Sequence, residues 1–190
     1  MRLKIVWDAE ALPGLEIPVG KALESILSLP VEVGESGITL AGYVQRRSQF
    51  DAETLLNRLQ IYRMRHRLTE LLLLVTNRDL FVRGTDFVFG LARESSGVAV
   101  VSTARLHNAF YGRDEDTDLL LSRTVTEVGH EVGHLLGLDH CSDSQCIMFS
   151  PETLDQLDGK KKGFCPSCKK ILERRNSSLK VSSLISPSGT

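Results

Sequence analysis

The chain contains no apolar stretch long enough to cross a bilayer. Its longest runs, such as Leu71-Leu72-Leu73-Leu74-Val75, fall far short of the roughly 18 residues that a spanning helix needs. It also lacks an excess of either charge. Lysine and arginine number 23 against 24 aspartates and glutamates, a formal net charge of −1, so there is no broad basic surface to draw in nucleic acid or an anionic membrane. The opening segment, Met1-Arg2-Leu3-Lys4-Ile5-Val6-Trp7-Asp8, is too polar and too short in its apolar part for a secretion signal, and it reads as a buried first strand. No cysteine occurs before position 141. We therefore expect a cytoplasmic monomer that engages neither nucleic acid nor membrane. The 190 residues, 42% hydrophobic and 25% charged, suit one folding unit with a sizeable core.

The most informative stretch is Gly129-His130-Glu131-Val132-Gly133-His134-Leu135-Leu136-Gly137-Leu138-Asp139-His140. An apolar helical pattern through Leu119, Leu120, Leu121, Val125 and Val128 leads into it. His130 and His134, four apart, fall on one helix face and can grip one metal ion. A helix advancing about 100° per residue would carry position 140 away from that face. Gly137 lets the chain leave the helix, because glycine adopts the left-handed conformation without steric penalty. His140 can then return as a third nitrogen ligand, with the fourth position of a tetrahedral zinc left to water. Glu131 is the expected catalytic base, taking a proton from a zinc-bound water whose pKa has fallen to about 7.

All four cysteines lie between positions 141 and 168, as Cys141, Cys146, Cys165 and Cys168. Paired thiolates at that spacing suit a closed structural zinc site, which takes the place of core in a short lobe. Two disulfides are the alternative, disfavoured without a secretion signal. The residues thus predict two zinc ions, one catalytic and one structural.

The His-Glu-x-x-His-x-x-Gly-x-x-His pattern with Met148 soon after it resembles the metzincin clan of zinc peptidases. Within that clan, Cys141, then Cys146-Ile147-Met148, then Cys165-Pro166-Ser167-Cys168 resemble the archaemetzincins. Looser similarity at Gln49-Phe50, Asp79-Leu80-Phe81, Phe87-Val88-Phe89-Gly90 and Val100, Ser102, Arg105, Leu106 extends it over residues 1–172. The resemblance implies an α/β (α+β) metzincin-like fold: a mixed twisted sheet with an antiparallel edge strand, an active-site helix, and a small zinc-stapled C-terminal lobe. The lobes would be 1–137 and 138–172, followed by a tail at 173–190. It also implies that Met148 makes a tight turn beneath the catalytic zinc, and that the substrate is a peptide or unfolded segment. A two-zinc peptide-binding protein without catalysis is one alternative. A three-histidine endoribonuclease is another, suggested by Gly137-Leu138-Asp139-His140, but such enzymes lack a counterpart of Glu131 and the four cysteines.

The remaining chain reads as follows. Ala22, Leu23, Ile26 and Leu27 share a helix face that Pro30 ends, and short apolar segments follow at 31–33 and 38–44, the second reading as a strand. Asp51 caps a helix through Leu55, Leu56, Leu59, Ile61, Tyr62 and Met64, with Arg58, Arg63, Arg65, Arg67 and His66 on its wetter side. Leu71 to Thr76 fits a central strand covered on both faces. Strands at 87–92 and 98–104 follow, and by resemblance the first is the edge strand, able to pair with an extended peptide. His107 reads as a loop residue near a cleft rim, Asp114-Glu115-Asp116 as an acidic helix start, and Lys160-Lys161-Lys162 as a solvated turn. Residues 176–190, rich in serine with Pro187 and Gly189, have the composition of a mobile tail, while Leu179, Val181, Leu184 and Ile185 leave room for partial docking, and both readings stay open.

Overall fold

The apolar run at Leu71–Thr76 lies at the middle of a five-stranded sheet, and the chain is built outward from it. The structure, a computed structural model, describes residues 1–184 apart from residue 12, with side chains as far as Arg175. In chain order come β1 (Leu3–Trp7), α1 (Glu16–Leu27), β2 (Val31–Glu35), β3 (Tyr43–Val44), β4 (Gln49–Asp51), α2 (Ala52–Arg65) and β5 (Leu71–Thr76). β6 (Leu80–Phe81), β7 (Gly90–Arg93), β8 (Val98–Ser102), α3 (Thr117–Leu135), α4 (Leu154–Asp158) and α5 (Pro166–Leu184) follow. The main sheet runs β2-β1-β5-β8-β7, parallel except for β7, which pairs antiparallel to β8 at the edge. A small sheet, β3-β4-β6, stands apart.

Because successive side chains of a strand face opposite ways, the sheet makes two cores. Leu3, Ile5, Leu73, Val75, Ala99 and Val101 meet α1 and α3 through Val19, Leu23, Leu120, Val125, Val128 and Val132. Val6, Leu72, Leu74, Val98 and Val100 meet α2 through Leu55, Leu56 and Leu59. This double cover explains the unbroken apolar character of β5, and each fully buried aliphatic side chain contributes roughly 1.5–3 kcal/mol. A third cluster, Leu138, Ile147, Met148 and Phe164 with Cys146 and Cys168, forms the C-terminal lobe. It is the smallest of the three.

Several boundaries differ from the sequence reading. The segment 38–44 is a strand only at Tyr43–Val44, because Ile38 and Leu40 dock as loop side chains on the second core. The edge strand is where it was expected but occupies Gly90–Arg93; before it, residue 88 makes only an isolated bridge to Leu80. β8 ends at Ser102, where a 3-10 turn begins at Ala104. Asp51 caps α2, accepting from the Glu53 N–H, yet Ile61 and Met64 are exposed. Arg63 is not simply solvated: its guanidinium binds the carbonyls of Thr69, Glu70 and Ser96. α5 runs through the boundary drawn at 172 as far as Leu184, while the choice between a mobile and a docked tail at Leu179, Val181, Leu184 and Ile185 falls outside the described side chains. Among the described residues no helix is long and apolar enough to cross a membrane.

Candidate active site

α3 begins at Asp116, whose side chain accepts from the Leu119 N–H. This satisfies one of the unpaired donors at the helix start and sets a carboxylate against the positive end of the dipole. The helix is amphipathic in an unusual sense, because its apolar face and its polar residues are both buried, Thr124, Glu127, His130 and Glu131 among them. It packs beneath β7, and together they form one wall and the floor of a cleft of about 630 Å³. Gly137, at φ +82°, carries the chain out of the helix in the left-handed conformation, and His140 comes back to the face that bears His130 and His134.

The three imidazoles meet. Ring centroids are 4.7 Å apart for His130 and His134, 5.3 Å for His130 and His140, and 4.9 Å for His134 and His140. The tautomers follow from the hydrogen bonds. His130 Nδ1 lies 2.8 Å from the Ile147 carbonyl and His134 Nδ1 2.8 Å from the Leu138 carbonyl. A carbonyl only accepts, so each Nδ1 carries the proton and each Nε2 presents a lone pair. Those two Nε2 atoms are 3.1 Å apart. Lone pairs so close repel unless a cation lies between them, and tetrahedral zinc with Zn–N bonds of 2.0–2.1 Å separates its nitrogens by roughly 3.3 Å. The donor set fits zinc. Burial, followed by the nearby Lys160 charge, pulls His130 down to about 3, and burial also lowers His134, so both rings are neutral at pH 7 and each has a lone pair to offer.

Glu131 is buried and turned toward the edge strand: a Cβ built on Gly90 would lie 2.6 Å from its Oε1. Burial, and then repulsion from Glu127, raise Glu131 well above the ordinary carboxylate range, while Lys160 opposes them. A dication at the three imidazoles would oppose them further. Glu127 and Lys160 are residues the sequence reading missed. Lys160 is buried rather than solvated, donating to the Phe149 carbonyl at 2.8 Å with Nζ 3.7 Å from Glu127 Oε1. Burial raises Glu127 and lowers Lys160, and each offsets the other. Glu127 could have been suspected from its place one helical turn before Glu131. Nothing local marks Lys160, since its partner is remote in sequence.

Met148 is fully buried below α3, where a Cβ on Gly133 would meet its Sδ at 2.2 Å. The four thiols also converge. Cys141 and Cys165 Sγ are 3.8 Å apart, as are Cys146 and Cys168. These spacings exceed a disulfide bond of about 2.05 Å but match the roughly 3.8 Å between sulfurs around tetrahedral zinc with 2.3 Å bonds. Cys165 stands at the start of α5, where the Cys168 backbone N–H above all brings its thiol down to about 7. His107 does not join the site. Its Nδ1 lies 3.2 Å from Glu115, which also accepts from the Ala109 N–H.

A deep cleft with clustered imidazoles, a buried carboxylate beside them and a free strand edge above defines a metal-dependent hydrolase of the zinc-peptidase type. Comparison with known proteins narrows this. The model of peptidase family M54 matches residues 15–174, so the chain belongs to that family and is a zinc metallopeptidase. It is 32% identical to the archaemetzincin of Pyrococcus furiosus over 176 residues, covering 84% of this chain and 91% of that one. With the archaemetzincin of Thermococcus kodakarensis it shares 45% identity over 100 residues, about half the length of either chain (53% and 54%). Among solved structures, a zinc-dependent peptidase from Methanocorpusculum labreanum superposes with a TM-score of 0.86 at 40% identity, over 90% of this chain and 99% of that one. The archaemetzincin of Methanopyrus kandleri gives 0.78 at 32% identity, over 93% and 96%. The mixed α/β fold and the resemblance are both supported, and a peptidase acts on peptides, which sets the endoribonuclease alternative aside.

Proposed function

We propose that the chain hydrolyses peptide bonds in the cleft between β7 and the C-terminal lobe, with His130, His134 and His140 holding a catalytic zinc and Glu131 acting as base and then acid. The observation that carries this reading is the pair of Nε2 lone pairs 3.1 Å apart, each ring fixed by a carbonyl behind it. Zinc bound there supplies Lewis acidity and lowers the pKa of water to about 7. Glu131, next in sequence to His130 and held against Gly90, takes a proton from the attacking water and delivers it to the nitrogen of the leaving amine. The outer edge of β7, the last strand of its sheet, pairs its backbone with an extended peptide. Gly137 provides the turn that returns His140, and Met148 makes the apolar floor under the two helical ligands.

Cys141, Cys146, Cys165 and Cys168 hold a second, structural zinc, giving two per chain. The catalytic unit is residues 1–172, with lobes 1–137 and 138–172. We also place the chain in the cytoplasm as a monomer without nucleic-acid or membrane partners: its four thiols are unpaired, which suits a reducing compartment, and its net charge of −1 offers no broad basic surface.

The test pairs zinc stoichiometry with cleavage of a broad peptide library, for wild type and Glu131→Gln. Both should carry two zinc ions, and only wild type should cleave, the variant falling roughly 10²- to 10⁴-fold. Wild-type turnover in Glu131→Gln rejects the proton-transfer role, and zinc occupancy that survives replacement of each histidine rejects the ligand set.

A further inference from the structure

The two ends of the cleft are built differently. At one end stand Phe87 and Glu152. At the other, Glu94, in the turn that follows β7, faces Gly137 in the turn that follows α3. Arg175 of α5 joins these two walls. Its Nη1 lies 2.8 Å from Glu94 Oε1, across 81 residues of sequence. The same guanidinium sits directly on the turn after α3, where a Cβ at Gly137 would lie 1.5 Å from Nη1 and 2.1 Å from Cζ. α5 is not free to swing. Cys168 and Leu172 anchor it in the third core with Met148 and Phe164. A side chain of α5, the helix that starts beside the thiols, thus crosses from the turn after α3 to the turn after β7.

We propose that the Arg175–Glu94 pair is a clasp that closes this end of the cleft and limits how far a bound peptide extends beyond it. The inference rests on the peptidase reading, since it concerns a peptide lying along β7. Such a peptide, pairing with Gly90–Arg93, meets the guanidinium as soon as it reaches Glu94. The pair is about half-exposed, at 49% and 55%. Exposed ion pairs of that kind are held weakly, so the clasp opens readily and biases substrate choice without forbidding long peptides.

The experiment uses the zinc-loaded full chain and two nested peptide series, each lengthened on one side of the scissile bond. Wild-type kcat/KM should fall with length on one side only. In Arg175→Ala that fall should shrink by roughly three- to five-fold, the limit set by an exposed pair. The change should appear in KM, with the shortest peptides unaffected. The charge exchange Glu94→Arg with Arg175→Glu should restore the wild-type length dependence, which loss of guanidinium bulk alone would not do. A length dependence in Arg175→Ala identical to wild type overturns the clasp. Hydrogen exchange at the amides of residues 90–96 reads the contact without hydrolysis, and it should be faster in Arg175→Ala. Unchanged exchange there also overturns the clasp. If wild type cleaves nothing while exchange still rises in Arg175→Ala, the clasp stands and the peptidase reading is what has failed.

Discussion

The carboxylate of Glu131 lies where a side chain at position 90 would be: a Cβ added to Gly90 would meet Oε1 at 2.6 Å, Cγ at 2.7 Å and Cδ at 2.8 Å. The edge strand therefore does more than offer backbone to a peptide. It leaves a notch that receives the proposed base and limits where that base can stand. Gly90→Ala should push Glu131 aside while leaving the ligands alone. We expect zinc content to stay at the wild-type level and kcat to fall roughly 100-fold, the usual consequence of about 1 Å of misplacement. Unaltered kcat with normal zinc would show that the carboxylate has room to spare.

Lys160 and Glu127 form an ion pair with side chains 0% and 3% exposed. Replacing Lys160 by methionine leaves Glu127 buried without its counter-charge, which should cost about 3–5 kcal/mol. Adding Glu127→Gln should recover much of that loss, because the stranded charge is gone. Urea denaturation midpoints of the two single variants and the double variant measure the coupling; purely additive losses would mean the pair does not act as a pair.

Cys141 follows His140 directly and donates its backbone N–H to the Met148 carbonyl at 2.9 Å. Loosening the thiol cluster should therefore loosen the third imidazole. Cys165→Ser is expected to weaken zinc affinity at the histidine site roughly 10- to 100-fold, the size typical of groups that orient ligands. Metal titration at a temperature where the variant remains folded makes the measurement, and an unchanged affinity at the histidines would establish two independent sites.

Stripping metal with a chelator should act unevenly across the fold. The third core contains few aliphatic side chains beyond Leu138, Ile147, Met148 and Phe164, whereas the main sheet is packed on both faces. Hydrogen-exchange protection should be lost first over residues 138–172, with β1, β5 and β8 still protected. Uniform loss through the whole chain would contradict a distinct, metal-stapled lobe.

Legibility in the sequence followed the range of the interactions. His130, Glu131, His134 and His140 were readable because helical spacing and one glycine bring them together within a short stretch, and the four cysteines because thiols at such intervals have few other uses. β5 was readable because burial on both faces leaves an unbroken apolar run. Segment 38–44 was misread because apolar loop residues that dock on a core, such as Ile38 and Leu40, resemble a strand when its partners are unseen. Lys160 looked like one lysine of a solvated triplet, since no local pattern announces a partner on α3. The contact of Gly90 with Glu131 and the place of Arg175 were invisible for the same reason, each depending on a neighbour remote in sequence.

The return of His140 after Gly137 also imposes an order on biosynthesis. All five strands of the main sheet are complete once the ribosome has passed Ser102, and α3 can dock on that sheet as soon as it emerges. At that moment only two of the three proposed nitrogen ligands have emerged with it, and the thiol set is not complete until Cys168 has emerged as well. A nascent chain can thus assemble its scaffold while still unable to retain the metal firmly.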